Sequence, residues 1–246
     1  MSENKAVILA AGKGTRMKSD LPKVIHTVLG KPMVQYVIDA VLEAGADEIC
    51  LVVGHGAELV KETVGNQAVY VEQKEQLGTG HAVKCAKEFI GTEGTVLVLC
   101  GDTPLITGKT LLAMMKEHKT SGSKATVLTA VLPDATGYGR IVRNEQGNVM
   151  GIVEQKDATA EQQKIREINS GMYLFDAKAL SESLDKLNNN NAQNEYYLTD
   201  TLELIRKAYG EQAIAAFVTE QADEIIGVNS REQLAGVENL MKMREQ

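Results

Sequence analysis

The sequence predicts a doubly wound α/β domain built on a mostly parallel sheet. Three observations carry this. Short β-rich apolar runs alternate with longer amphipathic stretches through the first half of the chain. The runs are apolar almost throughout rather than in alternation, the pattern of parallel strands covered on both faces. The first run ends directly in a loop containing Gly12 and Gly14. Right-handed crossovers are expected between such strands.

Residues 6–10 form the first predicted strand. The apolar stretch before Gly12 is too short for a signal-peptide core and reads as a buried strand. Residues 49–53, 69–71, 96–100 and 126–132 continue the strand series. Helices are expected at 34–44, 57–64, 79–89 and 111–118. In the first of these, Val34, Val37, Ile38, Val41 and Leu42 share one stripe, and Gly45 follows as a C-terminal cap. The second half is less regular. Residues 141–143 and 149–153 flank Asn144-Glu145-Gln146-Gly147-Asn148, a hairpin signal. Residues 172–175 read as a strand and 179–187 as a helix, while 188–191 is a low-complexity loop. Residues 198–209 read as a helix with Leu198, Leu202, Ile205 and Tyr209 on a buried stripe. Residues 214–218 are a late strand, and Ser230 is placed to cap a last helix. No internal repeat is visible.

Composition narrows the function classes. The chain has 246 residues and a net charge of −7, with no Trp and three Phe. Nucleic acid and anionic membranes are therefore not expected partners. No apolar run approaches the ~18 residues of a membrane span. Three cysteines, an odd count without a C-x-x-C pair, suit a reducing, cytoplasmic setting. Four scattered histidines give no zinc-type spacing. The first loop runs against the overall acidity: Lys13, Arg16, Lys18 and Lys23 face Asp20 alone. This is either a solvated charged loop or a site for a small, highly charged anion.

A strand ending in glycines at the carboxyl edge of a parallel sheet is where nucleotides bind, because the backbone N–H groups can approach an oxyanion. Two phosphate-binding patterns fail here. Gly12-Lys13 is followed by Gly14 rather than Ser or Thr, and Met17 stands where a dinucleotide fingerprint needs Gly or Ala. Alone, the loop reads equally as a tight turn. Asp102, just after a strand, reads alone as a turn residue or helix cap. Glu154 and Asn169 read alone as a hairpin charge and a strand-start polar residue.

The surrounding residues are more specific. Leu9-Ala10-Ala11-Gly12-Lys13-Gly14-Thr15-Arg16-Met17 is followed by Leu21-Pro22-Lys23 and Gly30-Lys31-Pro32-Met33. Next come Glu72-Gln73 with Leu77-Gly78-Thr79-Gly80-His81-Ala82, then Gly101-Asp102-Thr103-Pro104-Leu105 and Gly137-Tyr138-Gly139-Arg140-Ile141. Ile152-Val153-Glu154-Gln155-Lys156-Asp157-Ala158, Glu167-Ile168-Asn169-Ser170-Gly171, the segment 189–200 and Gly227-Val228-Asn229 complete the series. In this order the set resembles the sugar-nucleotide pyrophosphorylases. Within them it is most similar to the uridylyltransferase half of bifunctional uridylyltransferase–acetyltransferases.

The resemblance implies a Rossmann-like nucleotidyltransferase fold, with an inserted β-hairpin region over a sugar site. It implies a domain over residues 1–229 and the start of a connecting helix at 230–246. The implied reaction transfers UMP from UTP to N-acetylglucosamine-1-phosphate, giving UDP-N-acetylglucosamine and pyrophosphate, with Mg²⁺ as cofactor. Arg16 and Lys23 are the implied catalytic residues, and Asp102 and Asn229 the implied metal ligands. Leu9, Ala10, Ala11, Gly12, Lys23, Gln73, Gly78, Thr79, Cys100, Gly101 and Asp102 are implied to bind substrate. So are Gly139, Glu154, Asn169, Tyr197, Thr199 and Asn229, of which Gly139, Glu154, Asn169, Tyr197 and Thr199 are expected to ring the sugar. His81 reads as a polar helix-start residue, and one of Tyr196 and Tyr197 as core packing. Asn194 departs from the family, which has Gly before Glu-Tyr-Tyr. The chain stops within the connecting helix, so acetyltransferase activity is not expected and a monomer is; a trimer is expected only with the further domain. Another sugar-1-phosphate uridylyl- or thymidylyltransferase, or a silent nucleotide-sugar sensor, are the alternatives.

Overall fold

The computed structural model describes residues 3–244. Strand β1 (Asn4–Ala10) enters the glycine loop and a short ribbon of β2 (Thr27–Val28) and β3 (Lys31–Pro32). Then follow α1 (Met33–Glu43), β4 (Glu48–Val53), α2 (Ala57–Val64) and β5 (Val69–Glu72). Next are α3 (Thr79–Cys85), α4 (Lys87–Ile90), β6 (Thr95–Cys100), α5 (Gly108–Ser121) and β7 (Ala125–Val131). The second half holds β8 (Arg140–Arg143), β9 (Val149–Val153), β10 (Glu167–Asp176) and α6 (Ala177–Leu184). It ends in α7 (Asp200–Tyr209), β11 (Ile214–Val218) and α8 (Arg231–Arg244).

The main sheet has nine strands. Its backbone order is β11-β7-β10-β6-β1-β4-β5, with the β8–β9 hairpin attached through β8 to β10. The pairs β1–β4, β1–β6, β4–β5 and β7–β11 are parallel, and β10 lies antiparallel between β6 and β7. Side chains of a strand alternate between faces. Ile8, Leu51 and Leu97 therefore pack on one side with Val37 and Val41 of α1 and Leu111 of α5. Val7, Val52 and Val98 pack on the other with Val83 of α3, Leu180 of α6 and Leu202 of α7. Helices on both faces explain why these strands read as unbroken apolar runs. No described helix is long and apolar enough to cross a membrane.

A third apolar cluster lies beneath the glycine loop. Met17, Val28, Met33 and Leu105 meet Val228, and Val237 and Met241 of α8. Ser230 Oγ accepts from the Gln233 N–H at 3.2 Å, as expected for the cap of α8.

Three details differ from the sequence reading. The helix expected over 79–89 is two helices, because Ala86 takes φ −88°, ψ 9° between them. Leu198 is buried but precedes α7, which begins at Asp200. Leu42 and Tyr209 are 49% and 38% exposed, so neither joins the buried stripe assigned to it. Each lies in the last turn of its helix, and the Tyr209 hydroxyl instead donates to Glu182 Oε2 at 2.8 Å. In the hairpin, Asn144 Oδ1 accepts from the N–H groups of Gln146 and Asn148, and Gly147 takes φ +83°.

His118 on α5 is buried with Nδ1 2.8 Å from Thr126 Oγ1 of β7. Burial pulls its pKa down from 6.5 to about 4, against a smaller upward pull from Asp176. Between those values the unfolded chain binds a proton that the fold refuses. Stability is therefore full above pH ~6.5 and falls as the pH drops toward 4. By pH 5 the loss is about 2 kcal/mol. Chemical denaturation at pH 7 and pH 5 checks this: His118→Gln is expected to lack that increment, and equal pH dependence in both proteins would contradict it.

Candidate active site

The carboxyl ends of β1, β5 and β6 open into one cleft of about 300 Å³. Leu9, Ala10, Ala11, Gly12, Lys23, Gln73, Gly78, Thr79, Cys100 and Asp102 line it. Gly101 stands beside it, its N–H donating to Leu9 O at 2.9 Å. Val24, Gln76, Ala82 and Glu195 also line the cleft and were missed in the sequence. Ala82 and Glu195 stand in motif segments, and Gln76 repeats the side chain of Gln73 three residues on; Val24 carries no signal beyond its place next to Lys23.

Local backbone geometry builds these walls. Gly14 has φ +60°, and a Cβ there would lie 2.7 Å from Lys23 Cβ, so only glycine lets the loop close against Lys23. Gly78 has φ +103°, and a Cβ there would lie 2.7 Å from Tyr196 O. This close approach lets the Gly80 N–H donate to Tyr196 O and the Tyr196 N–H to Leu77 O, tying the start of α3 to the segment carrying Glu195. Asn194 has φ +53°. Its departure from the family's glycine thus preserves a left-handed position, since Asn tolerates that conformation better than most residues.

The charged centre comes from three distant segments. Lys23 Nζ donates to Asp102 Oδ2 and, at 2.9 Å, to Asn229 Oδ1. Both charged side chains are 15% exposed. Asp102 does not cap the following helix: Thr107 does, its Oγ1 accepting from the Thr110 N–H at 3.2 Å. The turn after β6 is instead braced by Thr103 Oγ1 donating to Cys100 O at 2.7 Å. Burial, with repulsion from Asp102, pushes the Cys100 thiol up to about 12, so it stays neutral in the cleft wall.

Arg16 stands apart. It lines a separate recess of about 270 Å³ with Met17, Lys18, Arg231 and Glu232. Arg16 lies on a short helical turn that follows the positive-φ Gly14, and the next residue of that turn, Met17, is anchored in the third cluster. Lys13 lines a third recess with His55, Glu72 and Lys74, which shares Gln73 and Gln76 with the main cleft.

The residues expected around a sugar form their own group at the hairpin. Gly139 precedes β8, and a Cβ there would lie 3.3 Å from Glu154 Oε2 and 3.5 Å from Asn169 Cβ. Asn169 donates its N–H to Gly139 O, and its Oδ1 accepts from the Tyr173 hydroxyl at 3.0 Å. Thr199 Oγ1 donates to Glu154 Oε1 at 3.4 Å. Burial raises the Glu154 pKa, and nearby Asp157 and Asp200 add to that, while the Thr199 bond opposes it. Tyr197 is buried, its hydroxyl accepting from Gln193 Nε2 at 2.8 Å; Tyr196 is partly buried against the second core cluster. The two groups adjoin where Cys100 Sγ faces Gly171 O at 3.7 Å.

A family model described as nucleotidyl transferase matches residues 5–234. The Bifunctional protein GlmU of Caldanaerobacter subterraneus subsp. tengcongensis is 53% identical over 244 residues, covering 99% of this chain and 53% of that protein. The proteins of the same name from a Bacillus cereus strain and from Bacillus cytotoxicus are each 54% identical, with the same coverage. The chain spans about half the length of the curated relatives it matches.

Proposed function

This chain belongs to the nucleotidyl transferase family, and from that premise we propose that it transfers UMP from UTP to N-acetylglucosamine-1-phosphate. The products are UDP-N-acetylglucosamine, a precursor in peptidoglycan synthesis, and pyrophosphate, and the setting is cytoplasmic. Residues 1–229 form the pyrophosphorylase domain in this reading, and 230–246 begin a connecting helix. The carrying observation is the meeting of Asn229 with Lys23 and Asp102, two residues that line a cleft also holding Gln73 and Gly12 of the glycine loop.

The residues fit a Mg²⁺ ion. A carboxylate oxygen and an amide oxygen converge on one positive group, the Lys23 ammonium. Two hard oxygen donors are the kind of partial ligand set that suits Mg²⁺ shared with phosphates. Asp102 and Asn229 would hold the ion, which supplies charge neutralisation on the phosphoryl oxygens when bound.

A phosphate oxygen of the sugar-1-phosphate forms a bond to the α-phosphorus of UTP. The bond from that phosphorus to the bridging oxygen breaks, and its electron pair leaves on pyrophosphate. The attacking oxygen is already ionised, so no side-chain nucleophile is required. Lys23 offsets charge that builds on the α-phosphoryl group. Arg16, in the recess it shares with Arg231, is assigned to the departing phosphates, which its planar fork suits. Gln73 and the backbone of Ala11, Gly12 and Gly78 meet the uracil. Gly139, Glu154, Asn169, Tyr197 and Thr199 receive the sugar, Glu154 and Asn169 offering bonds to its hydroxyls and acetamide.

Pyrophosphate release, measured over a panel of sugar phosphates and nucleoside triphosphates with Mg²⁺, tests this. The highest kcat/KM is expected with UTP and N-acetylglucosamine-1-phosphate. A preference for glucose-1-phosphate or a thymidine nucleotide would reassign the substrate, and binding without turnover would replace the enzyme with a sensor.

A further inference from the structure

We propose that His81 is a positioning residue that locks the Gln73 amide in one orientation and so makes the cleft prefer a uracil to a cytosine base. This rests on Gln73 being the base contact of the proposed reaction. Gln73 follows β5, its N–H donating to Val53 O at 2.8 Å, and it is 3% exposed. Its side-chain nitrogen lies 3.1 Å from Gly78 O. A carbonyl can only accept, so the nitrogen end of the amide, not the oxygen end, must face Gly78. The same nitrogen lies 3.1 Å from His81 Nδ1. A glutamine amide has two N–H bonds, and these two acceptors use both. What Gln73 retains for a base in the cleft is its carbonyl oxygen, an acceptor.

Uracil presents an N–H at N3, whereas cytosine presents a lone pair there. A carbonyl held toward N3 bonds the first and repels the second. The lock requires that His81 accept at Nδ1, which places the ring proton on Nε2. That nitrogen faces Cys85 Sγ at 4.0 Å, one helical turn along α3. Burial raises the Cys85 thiol pKa, so the sulfur stays neutral and serves as a weak acceptor. Without His81, only the Gly78 carbonyl biases the amide, and Gln73 can turn its nitrogen toward a ligand.

The test compares kcat/KM for UTP and CTP, with N-acetylglucosamine-1-phosphate, in the wild type and three variants, alongside thermal melting. His81→Ala is expected to lower the UTP-to-CTP ratio about tenfold or more. His81→Asn carries an oxygen near the place of Nδ1 and is expected to keep most of the ratio. His81→Gln, whose amide reaches past that place, is expected to behave like alanine. A wild-type ratio in His81→Ala would overturn the lock. So would equal losses on both nucleotides in all three variants, which is the result of a purely structural role. If the alanine variant does not fold, the contrast between Asn and Gln decides in the same way. A wild type that takes UTP and CTP equally would overturn the Gln73 reading itself, a distinguishable failure.

Discussion

Lys23→Ala is expected to lower kcat about a thousandfold, near 4 kcal/mol, while KM for either substrate changes far less. In the structure the Lys23 ammonium is held beside the cleft by Asp102 and Asn229, and Gly14 lets the loop pack closely against the base of the Lys23 side chain. A cation fixed there attracts the phosphates of the bound substrates somewhat. It attracts the transition state more, because negative charge then gathers on the α-phosphoryl oxygens and the leaving group. Its removal therefore falls mainly on kcat. Steady-state kinetics with both substrates varied separates the two effects. An unchanged kcat with a raised KM would reduce Lys23 to an attracting surface charge.

Asp102→Asn is expected to slow turnover about a hundredfold or more, roughly 2.7 kcal/mol, with little change in melting temperature. The substitution keeps shape and an oxygen for Lys23 but removes the charge. The backbone role of Asp102, whose carbonyl accepts from the Val228 N–H at 2.8 Å, is untouched. Because Thr107 rather than Asp102 caps the next helix, loss of a cap does not complicate the result. An amide oxygen is a poorer partner for Mg²⁺ than a carboxylate oxygen, so raising Mg²⁺ is expected to recover part of the rate. Normal rate with normal Mg²⁺ dependence would remove Asp102 from the metal site and weaken the case for Asn229.

The parallel half of the sheet was legible because burial on both faces makes β1, β4 and β6 continuous apolar runs. The direction of β10 was not. A run such as Met172–Phe175 reads the same in either direction; what reverses it is the long excursion through the β8–β9 hairpin, a property of connection rather than composition. The ribbon of β2 and β3 escaped notice because two-residue strands carry no periodicity. Leu42 and Tyr209 were misplaced because a helical stripe does not tell where the covering layer ends.

At the site, motif spacing brought out residues whose backbone or side chain meets the cleft, from Leu9 to Asp102. The Lys23–Asp102–Asn229 junction joins residues 206 positions apart, a proximity that only the fold creates. The placement of Arg16 in a recess of its own, beside Arg231 and Glu232, likewise depends on where the fold brings the start of α8. His81 was read as a helix-start residue because its partner Gln73 lies across a turn that sequence spacing does not describe.

The most direct measurement follows the phosphorus atom. UTP labelled at its α-phosphorus is incubated with the protein, N-acetylglucosamine-1-phosphate and Mg²⁺, and the products are separated. The label is expected in the nucleotide sugar, beside the unlabelled sugar phosphate, with unlabelled pyrophosphate released in equal amount. Label remaining in UTP, or appearing in free UMP without a nucleotide sugar, would contradict attack of the sugar phosphate on the α-phosphorus in this cleft.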